Sequence, residues 1–310
     1  MRAIVCHERL AASVPSGQRR PTARHMIAQL IERPQSKADM TASRHISPSG
    51  SGKRLMFPIF AEFGPVKLYS YGLMMALGFW IATQISSREF ERRGGDADQF
   101  WRLALLSFVT ALVTSHLWWW VGEAIAGRAG RVELLSGSGH VWFAGMIGGM
   151  VTGWWLARRR RLGVLQVLDS AALGLPLGHA LGRIGCHLAG DGDWGRTTDV
   201  PWGVAYEKAI AGWPYEPGVV VHPTSLYETA AYTLVFGVLL LYRRRAEGGA
   251  LLGACLVLTS IARFIIELWR LNPSVLGRLS EAQLVALALC AIGGWLWLKG
   301  SCATPSKAKP

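Results

Sequence analysis

The sequence predicts an all-α protein that crosses a lipid bilayer seven times. The chain of 310 residues is 51% hydrophobic and has a positive mean hydropathy. Its apolar residues are gathered in stretches close to the length that spans about 30 Å of hydrocarbon. Clusters of basic residues follow alternate stretches. A soluble globular domain is usually neither so apolar nor so segmented, so these observations favour a polytopic membrane protein.

The seven apolar stretches are the predicted membrane spans. They cover residues 68–87, 103–121, 141–157, 163–181, 224–242, 249–267 and 281–298. The fourth stretch is the least typical, because it carries Asp169, Pro176 and His179. A buried core helix would explain any one such stretch, but seven of them in one chain indicate a membrane protein.

The basic clusters predict how the chain is oriented. They lie between the first and second spans and after the third, fifth and seventh: Arg88, Arg92, Arg93 and Arg102, the arginines at 158–161 and 243–245, and Lys299, Lys307 and Lys309. The positive-inside rule places this side in the cytoplasm. We therefore expect the N-terminus outside, the C-terminus in the cytoplasm, and the loops 122–140, 182–223 and 268–280 outside. The same distribution argues against nucleic acid as the reason for the net charge of +13.

The termini differ from the apolar part of the chain. Residues 1–55 are rich in Ser, Pro and Arg and lack a long apolar stretch, so they are neither a signal peptide nor a span. We expect either a disordered basic leader or a true start at Met56. Residues 56–298 form the predicted transmembrane domain, and 299–310 form a basic cytoplasmic tail. The five cysteines show no CxxC pair and no metal-ligand spacing.

A Gly-punctuated run that begins at Gly182 follows the fourth span. Gly182 and Gly185 flank Arg183, and the run continues through Asp191 and Asp193. Glycines let backbone amides approach a ligand closely, and arginine binds phosphate with two parallel hydrogen bonds. The run predicts a site for a lipid head group, although an arginine at the membrane boundary can also simply snorkel to the interface.

A second charged group lies at the outer end of the sixth span. Arg263, Glu267 and Arg270 are spaced to share one helical face. Ionisable residues at membrane depth are costly and usually functional, the alternative being an ion pair that joins helices. His222 and Tyr227 near the start of the fifth span fit either a helix start with an interface aromatic or a functional role. Tyr71 in the first span would by itself be an interface anchor.

These segments occur in one order, and the set resembles the motifs of the bacterial prolipoprotein diacylglyceryl transferases over about residues 56–298. The matching motifs are Tyr71-Gly72-Leu73-Met74, Gly182-Arg183-Ile184-Gly185, Trp194-Gly195-Arg196-x-Thr198-Asp199-x-Pro201-Trp202-Gly203, His222-Pro223-x-x-Leu226-Tyr227-Glu228, Arg263-Phe264-x-x-Glu267-x-x-Arg270 and Leu279-Ser280-x-x-Gln283.

The resemblance implies a seven-helix enzyme of the bacterial cytoplasmic (inner) membrane, with its active site toward the outer leaflet. Such an enzyme moves the diacylglyceryl group of phosphatidylglycerol onto the thiol of a lipobox cysteine in a prolipoprotein signal peptide, and glycerol phosphate leaves. Arg183 would bind the phosphate, Arg263 and Glu267 would organise the reaction centre, and Tyr71 would line it. The other predicted substrate-binding residues are Gly182, Gly185, Asp191, His222 and Tyr227.

The chain departs from the family pattern at three places. Phe143 stands where the family commonly has a histidine, with His140 nearby, and Cys186 follows Gly185 where asparagine is common. Asp191 and Asp193 compete for the position of a glutamate. These departures leave the general base open.

No metal or cofactor is predicted, because guanidinium groups can meet the charge of the leaving phosphate. Two alternatives to a transferase remain at this point. One is a divergent lipid-binding paralogue without catalysis. The other is a lipid transporter, for which paired broken helices in inverted repeats would be expected.

Overall fold

An α-helix occupies each of the seven predicted spans. The computed structural model describes residues 56–64, 66–125 and 141–302; the leader 1–55, His140 and most of the predicted tail lie outside this part. Residues 56–116 and 141–302 belong to one compact unit, and residues 117–125 to a second. The helices are α1 (Ser70–Arg92), α2 (Ala97–Ile125), α3 (Trp142–Arg159), α4 (Val164–Ala189), α5 (Thr224–Tyr242), α6 (Ala250–Ile266) and α7 (Glu281–Ser301).

Five helices of the described residues are long and apolar enough to cross a membrane. They are α2, α4, α5, α6 extended to Trp269, and α7. In α1, the polar residues Thr83, Ser86 and Ser87 are buried, and Ser86 faces the backbone of α4. Helix α3 is rich in glycine and ends on two arginines. The structure thus supports a polytopic membrane protein, and the count of seven spans stays a prediction.

Small residues bring the helices close together. Gly78 of α1 packs against the backbone of Gly178 in α4, since a Cβ at Gly78 would lie 2.7 Å from the Gly178 carbonyl oxygen. Gly253 of α6 and Gly293 of α7 meet in the same way. Without a hydrophobic driving force between helices in lipid, such close backbone contact is a main source of helix association.

A buried charge cluster joins the helix ends that carry the basic residues. Glu89 of α1 is fully buried and accepts hydrogen bonds from Arg92, Arg93 and Arg243. Asp169, which made the fourth span look atypical, accepts the backbone N–H groups of Gly249 and Leu252 at 2.9 Å each. A carboxylate at a helix N-terminus satisfies donors that have no partner within the helix, so Asp169 caps α6.

The structure corrects three sequence-based expectations about local structure. Two short antiparallel hairpins, β1 (Ile59–Phe63) with β2 (Val66–Tyr69) and β3 (Ser274–Leu276) with β4 (Leu279–Ser280), were not predicted. Helix α4 continues to Ala189 and ends at Gly190 in a left-handed conformation, so the loop between α4 and α5 begins there and not at residue 182. Helix α6 ends at Ile266, and a 3₁₀ turn (Glu267–Trp269) follows, so Arg270 lies beyond the helix.

We predict that Gly253→Ala destabilises the contact between α6 and α7. A Cβ at Gly253 would lie 2.4 Å from the Trp297 amide nitrogen and 2.6 Å from the Gly293 carbonyl oxygen, and both neighbours are backbone atoms that cannot move aside. We expect a loss of about 1–3 kcal/mol, measured as a lower Tm in detergent or nanodiscs. Gly237→Ala in α5 is the matched control, because no atom lies within 4 Å of its Cβ position. Equal Tm values for the two variants would contradict this packing.

Candidate active site

The carboxylate of Glu228 lies at the centre of a charged cluster at the other end of the helices. Glu228 is on the second turn of α5 and is 1% exposed. Its Oε2 accepts a hydrogen bond from Nε of Arg183. Its Oε1 accepts from Nη1 of Arg263 at 2.6 Å and from Nη1 of Arg270 at 3.4 Å. One carboxylate therefore joins arginines from α4, from α6 and from the segment after the 3₁₀ turn.

Asp193 forms a second bridge between two of these arginines. One carboxylate oxygen accepts from Nη1 of Arg183 and the other from Nη2 of Arg270. Burial alone would raise the pKa of Asp193, but the guanidinium groups of Arg183 and Arg270 outweigh it and hold that pKa below its ordinary value. Asp193 is therefore an anion at neutral pH.

Glu267 orients the third arginine and is itself held in place. Its Oε2 lies 3.1 Å from Nη2 of Arg263. Its Oε1 accepts hydrogen bonds from Nδ2 of Asn272 at 2.6 Å and from Oγ of Ser280 at 2.7 Å. Ser280 also caps α7 through a reciprocal pair of hydrogen bonds with Gln283. The predicted Arg263–Glu267 pair is present, and it is tied to the start of α7.

Hydrogen bonds to the backbone hold the loop between α4 and α5 against the cluster. The Gly195 N–H donates to the His222 carbonyl at 2.9 Å, and the Arg196 N–H donates to the Trp269 carbonyl at 2.9 Å. The Thr224 hydroxyl donates to the Asp193 carbonyl at 2.6 Å. These bonds fix the backbone around Asp193.

His222 and Tyr227 form a separate polar group beside the cluster. The Tyr227 hydroxyl lies 3.0 Å from Nδ1 of His222 and accepts a hydrogen bond from Nε1 of Trp202 at 2.8 Å. Burial lowers the pKa of His222, which favours the neutral imidazole. Because Tyr227 directly precedes Glu228, both groups are fixed by the start of α5.

Tyr71 and the two predicted glycines lie where α1 meets α4. A Cβ at Gly185 would lie 2.9 Å from the Met74 Cβ and 3.3 Å from the Tyr71 Cα, so this glycine serves close helix packing. Gly182 lies inside α4 with open space beside it. The Tyr71 side chain is half-exposed. Among the described residues, its hydroxyl makes no hydrogen bond to the arginines of the cluster.

Asp191 and Asp193, which the sequence left in competition, have different surroundings. Asp191 is exposed, and its carboxylate accepts the backbone N–H of Asp193 at 3.2 Å. Cys186 Sγ and the carboxylates of both residues lie within 4.8 Å of one another, a spacing that could hold a cation. However, Nη1 of Arg183 contacts both Cys186 Sγ, at 3.3 Å, and the Asp193 carboxylate, so a guanidinium already supplies the positive charge there.

Sequence reasoning did not assign roles to Glu228, Asp193 and Arg270. Glu228 and Arg270 were in quoted motifs and Asp193 was in the Gly-punctuated run, but a linear pattern does not show that three segments meet. The signal that could have identified Glu228 is its carboxylate near the start of an apolar span, where a charge needs a partner. His140 and the side chain of Phe143 lie outside the described residues.

These features define a class of protein. The chain is a polytopic membrane protein in which three guanidinium groups converge on buried carboxylates at one end of the helices. Guanidinium groups in this arrangement are suited to bind an anionic group such as a phosphate ester.

The chain belongs to the prolipoprotein diacylglyceryl transferase family, whose family model matches residues 58–299. It is 31% identical to a phosphatidylglycerol–prolipoprotein diacylglyceryl transferase of Clostridioides difficile, over 76% of this chain and 91% of that relative. It is 32% identical to the enzyme so named from Halalkalibacterium halodurans, over 77% and 84% of the two chains. It is 28% identical to the Clostridium tetani protein of the same name, over 77% of this chain and 95% of that relative.

We predict that Glu228→Gln strongly destabilises the protein. The variant keeps the shape of the side chain but leaves three arginines around a neutral amide, and removing one partner from a buried charge network costs about 3–5 kcal/mol. The measurement is thermal unfolding of the purified protein. Glu216→Gln is the control, because Glu216 is exposed in the loop between α4 and α5. A Tm for Glu228→Gln equal to that of the control would contradict a central role for this carboxylate.

Proposed function

We propose that this protein transfers the diacylglyceryl group of phosphatidylglycerol to the lipobox cysteine thiol of prolipoproteins and releases glycerol phosphate. Family membership and the names of the relatives support this reaction. The same membership disfavours a lipid transporter or a non-catalytic paralogue. The observation that carries the proposal for this chain is that Arg183 and Arg263 share one buried carboxylate.

The reaction is a displacement at the glyceryl carbon that bears the phosphate. The prolipoprotein thiol loses its proton to a base, and its sulfur forms a bond to that carbon. The carbon–oxygen bond to phosphate breaks, and the electron pair leaves with glycerol phosphate. Arg183 binds the phosphate, and Arg263 stabilises the charge that develops on it. The partly buried setting of both arginines strengthens these interactions, because less water screens them.

The remaining residues have supporting roles in this proposal. Glu267 positions Arg263 through Oε2, since its Oε1 is held by Asn272 and Ser280. Tyr71 lines the site from α1. The other substrate-binding residues are Gly182, Gly185, Asp191, His222 and Tyr227.

The orientation of the protein follows from the basic residues. We propose seven spans in the bacterial inner membrane, with the basic helix ends and the C-terminus in the cytoplasm and the N-terminal side outside. The arginine cluster then faces the outer leaflet, where the prolipoprotein cysteine would be met. Residues 56–298 form the transferase domain, an assignment supported by the family match over 58–299.

The function is tested by incubating the purified full chain with phosphatidylglycerol and a lipobox peptide and then weighing the peptide. We expect the wild type to add a diacylglyceryl mass. We expect Arg183→Ala to lose transfer by a factor of about 10²–10³, because a preorganised donor to the developing anion is removed. Its fold should be retained, since Glu228 keeps Arg263 and Arg270 as partners.

Lys208→Ala is the matched control for a lost cation, because Lys208 is exposed in the same loop. It should transfer at the wild-type rate. Wild-type rates for folded Arg183→Ala would refute the assigned role of Arg183. A wild type that binds phosphatidylglycerol without changing the mass of the peptide would refute transferase activity.

A further inference from the structure

Asp193 holds two of the arginines in the way that a phosphate group would hold them. Its two carboxylate oxygens accept hydrogen bonds from different guanidinium groups, one from Arg183 and one from Arg270. A phosphodiester, like a carboxylate, has two oxygens that share one negative charge, and both can accept hydrogen bonds from guanidinium N–H groups. A ligand phosphate that bound Arg183 at its Nη1 would therefore compete with Asp193 for the same donor.

Asp193 is the most replaceable of the three carboxylates in the cluster. Its side chain is 32% exposed, against 1% for Glu228 and 2% for Glu267. Glu228 is joined to three arginines, and Glu267 accepts two further hydrogen bonds. Asp193 belongs to the loop between α4 and α5, whereas Glu228 lies within a helix and Glu267 at the end of one. An entering anion can reach Asp193 without breaking the buried core of the cluster.

The charge of the cluster also favours displacement of Asp193. Three guanidinium groups (Arg183, Arg263 and Arg270) pair with three carboxylates (Asp193, Glu228 and Glu267), so the charges of the paired groups cancel, while the nearby Asp191 is exposed to solvent. A phosphodiester added to this arrangement would make it negative in a partly buried site, which is unfavourable. If one carboxylate moves out to solvent as the phosphate enters, the buried charge stays balanced.

The backbone at Asp193 can stay in place during such an exchange. The Thr224 hydroxyl holds the Asp193 carbonyl, and the Gly195 amide is bonded to the His222 carbonyl. We therefore expect the exchange to proceed by rotation of the side chain about its own bonds, with this backbone held.

We propose that Asp193 overlaps the phosphate position at Arg183, and that the anionic phosphodiester of the lipid donor, which also meets Arg263, displaces Asp193 from Arg183 and Arg270. This inference rests on the proposed function for the identity of the donor. Asp193 is thus a competitor that sets donor affinity, and it keeps the arginines paired while no lipid is bound.

The experiment measures phosphatidylglycerol affinity by native mass spectrometry of the full chain in phosphatidylcholine nanodiscs. Asp193→Asn keeps the shape of the side chain but removes its charge, so the empty cluster becomes positive. We expect the Kd for phosphatidylglycerol to fall on the order of tenfold, because a charge-assisted competitor has been removed. A merely structural role of Asp193 predicts the opposite, a weaker binding of the lipid.

Two further variants complete the test. Asp193→Ser is a second neutral variant and should also bind more tightly, so the test does not depend on the folding of one protein. Asp199→Asn is the matched control, because Asp199 is exposed in the same loop, and it should leave the Kd unchanged. Titration of the same variants with inorganic phosphate measures the general gain in anion binding. We expect this gain to be smaller than the gain in affinity for phosphatidylglycerol.

The outcomes separate this inference from the proposed function. Unchanged or weaker phosphatidylglycerol binding by both folded neutral variants, in a protein whose wild type transfers diacylglyceryl groups, would overturn only the role of Asp193. A wild type that neither transfers these groups nor prefers phosphatidylglycerol to phosphatidylcholine would overturn the proposed function.

Discussion

The buried carboxylate of Glu228 is the contact on which the geometry of the site depends. An uncompensated charge at this depth would cost several kcal/mol, so the chain must bring cations to it. The cations come from α4, from α6 and from the segment after the 3₁₀ turn. Meeting this one electrostatic requirement therefore fixes the relative positions of three segments. It also leaves Arg183 and Arg263 partly exposed and able to meet a ligand.

Ion pairs between buried carboxylates and arginines also stabilise the opposite end of the helices. Glu89 is buried among Arg92, Arg93 and Arg243, and Asp169 caps α6 while it pairs with Arg93. Between these two ends, the helices approach each other through glycines such as those of α6 and α7. The two clusters differ in accessibility. At the Glu228 cluster, the Asp193 side chain is a third exposed, whereas Glu89 and Asp169 are at most 1% exposed.

Much of the fold could be predicted because membrane helices are encoded locally. An apolar stretch of sufficient length needs no knowledge of its neighbours, and all seven stretches coincide with helices. The end of α4 was misplaced because glycines and charges that usually mark a loop lie here inside the helix. There, Gly185 allows α1 to approach. The hairpins were missed because strands of two to five residues are too short to show an alternating pattern.

The site was predicted in part, since the Arg263–Glu267 pair follows from helical spacing alone. The link from Arg183 to Arg263 could not be predicted from spacing, because it passes through Glu228 on a third helix. The choice between Asp191 and Asp193 also depends on tertiary contacts with Arg270.

The most direct test of the convergence of arginines on a lipid phosphate is an experimental structure of the protein with bound phosphatidylglycerol. The phosphate is expected within hydrogen-bond distance of both Arg183 and Arg263. A phospholipid phosphate bound elsewhere, with both arginines out of its reach, would contradict it.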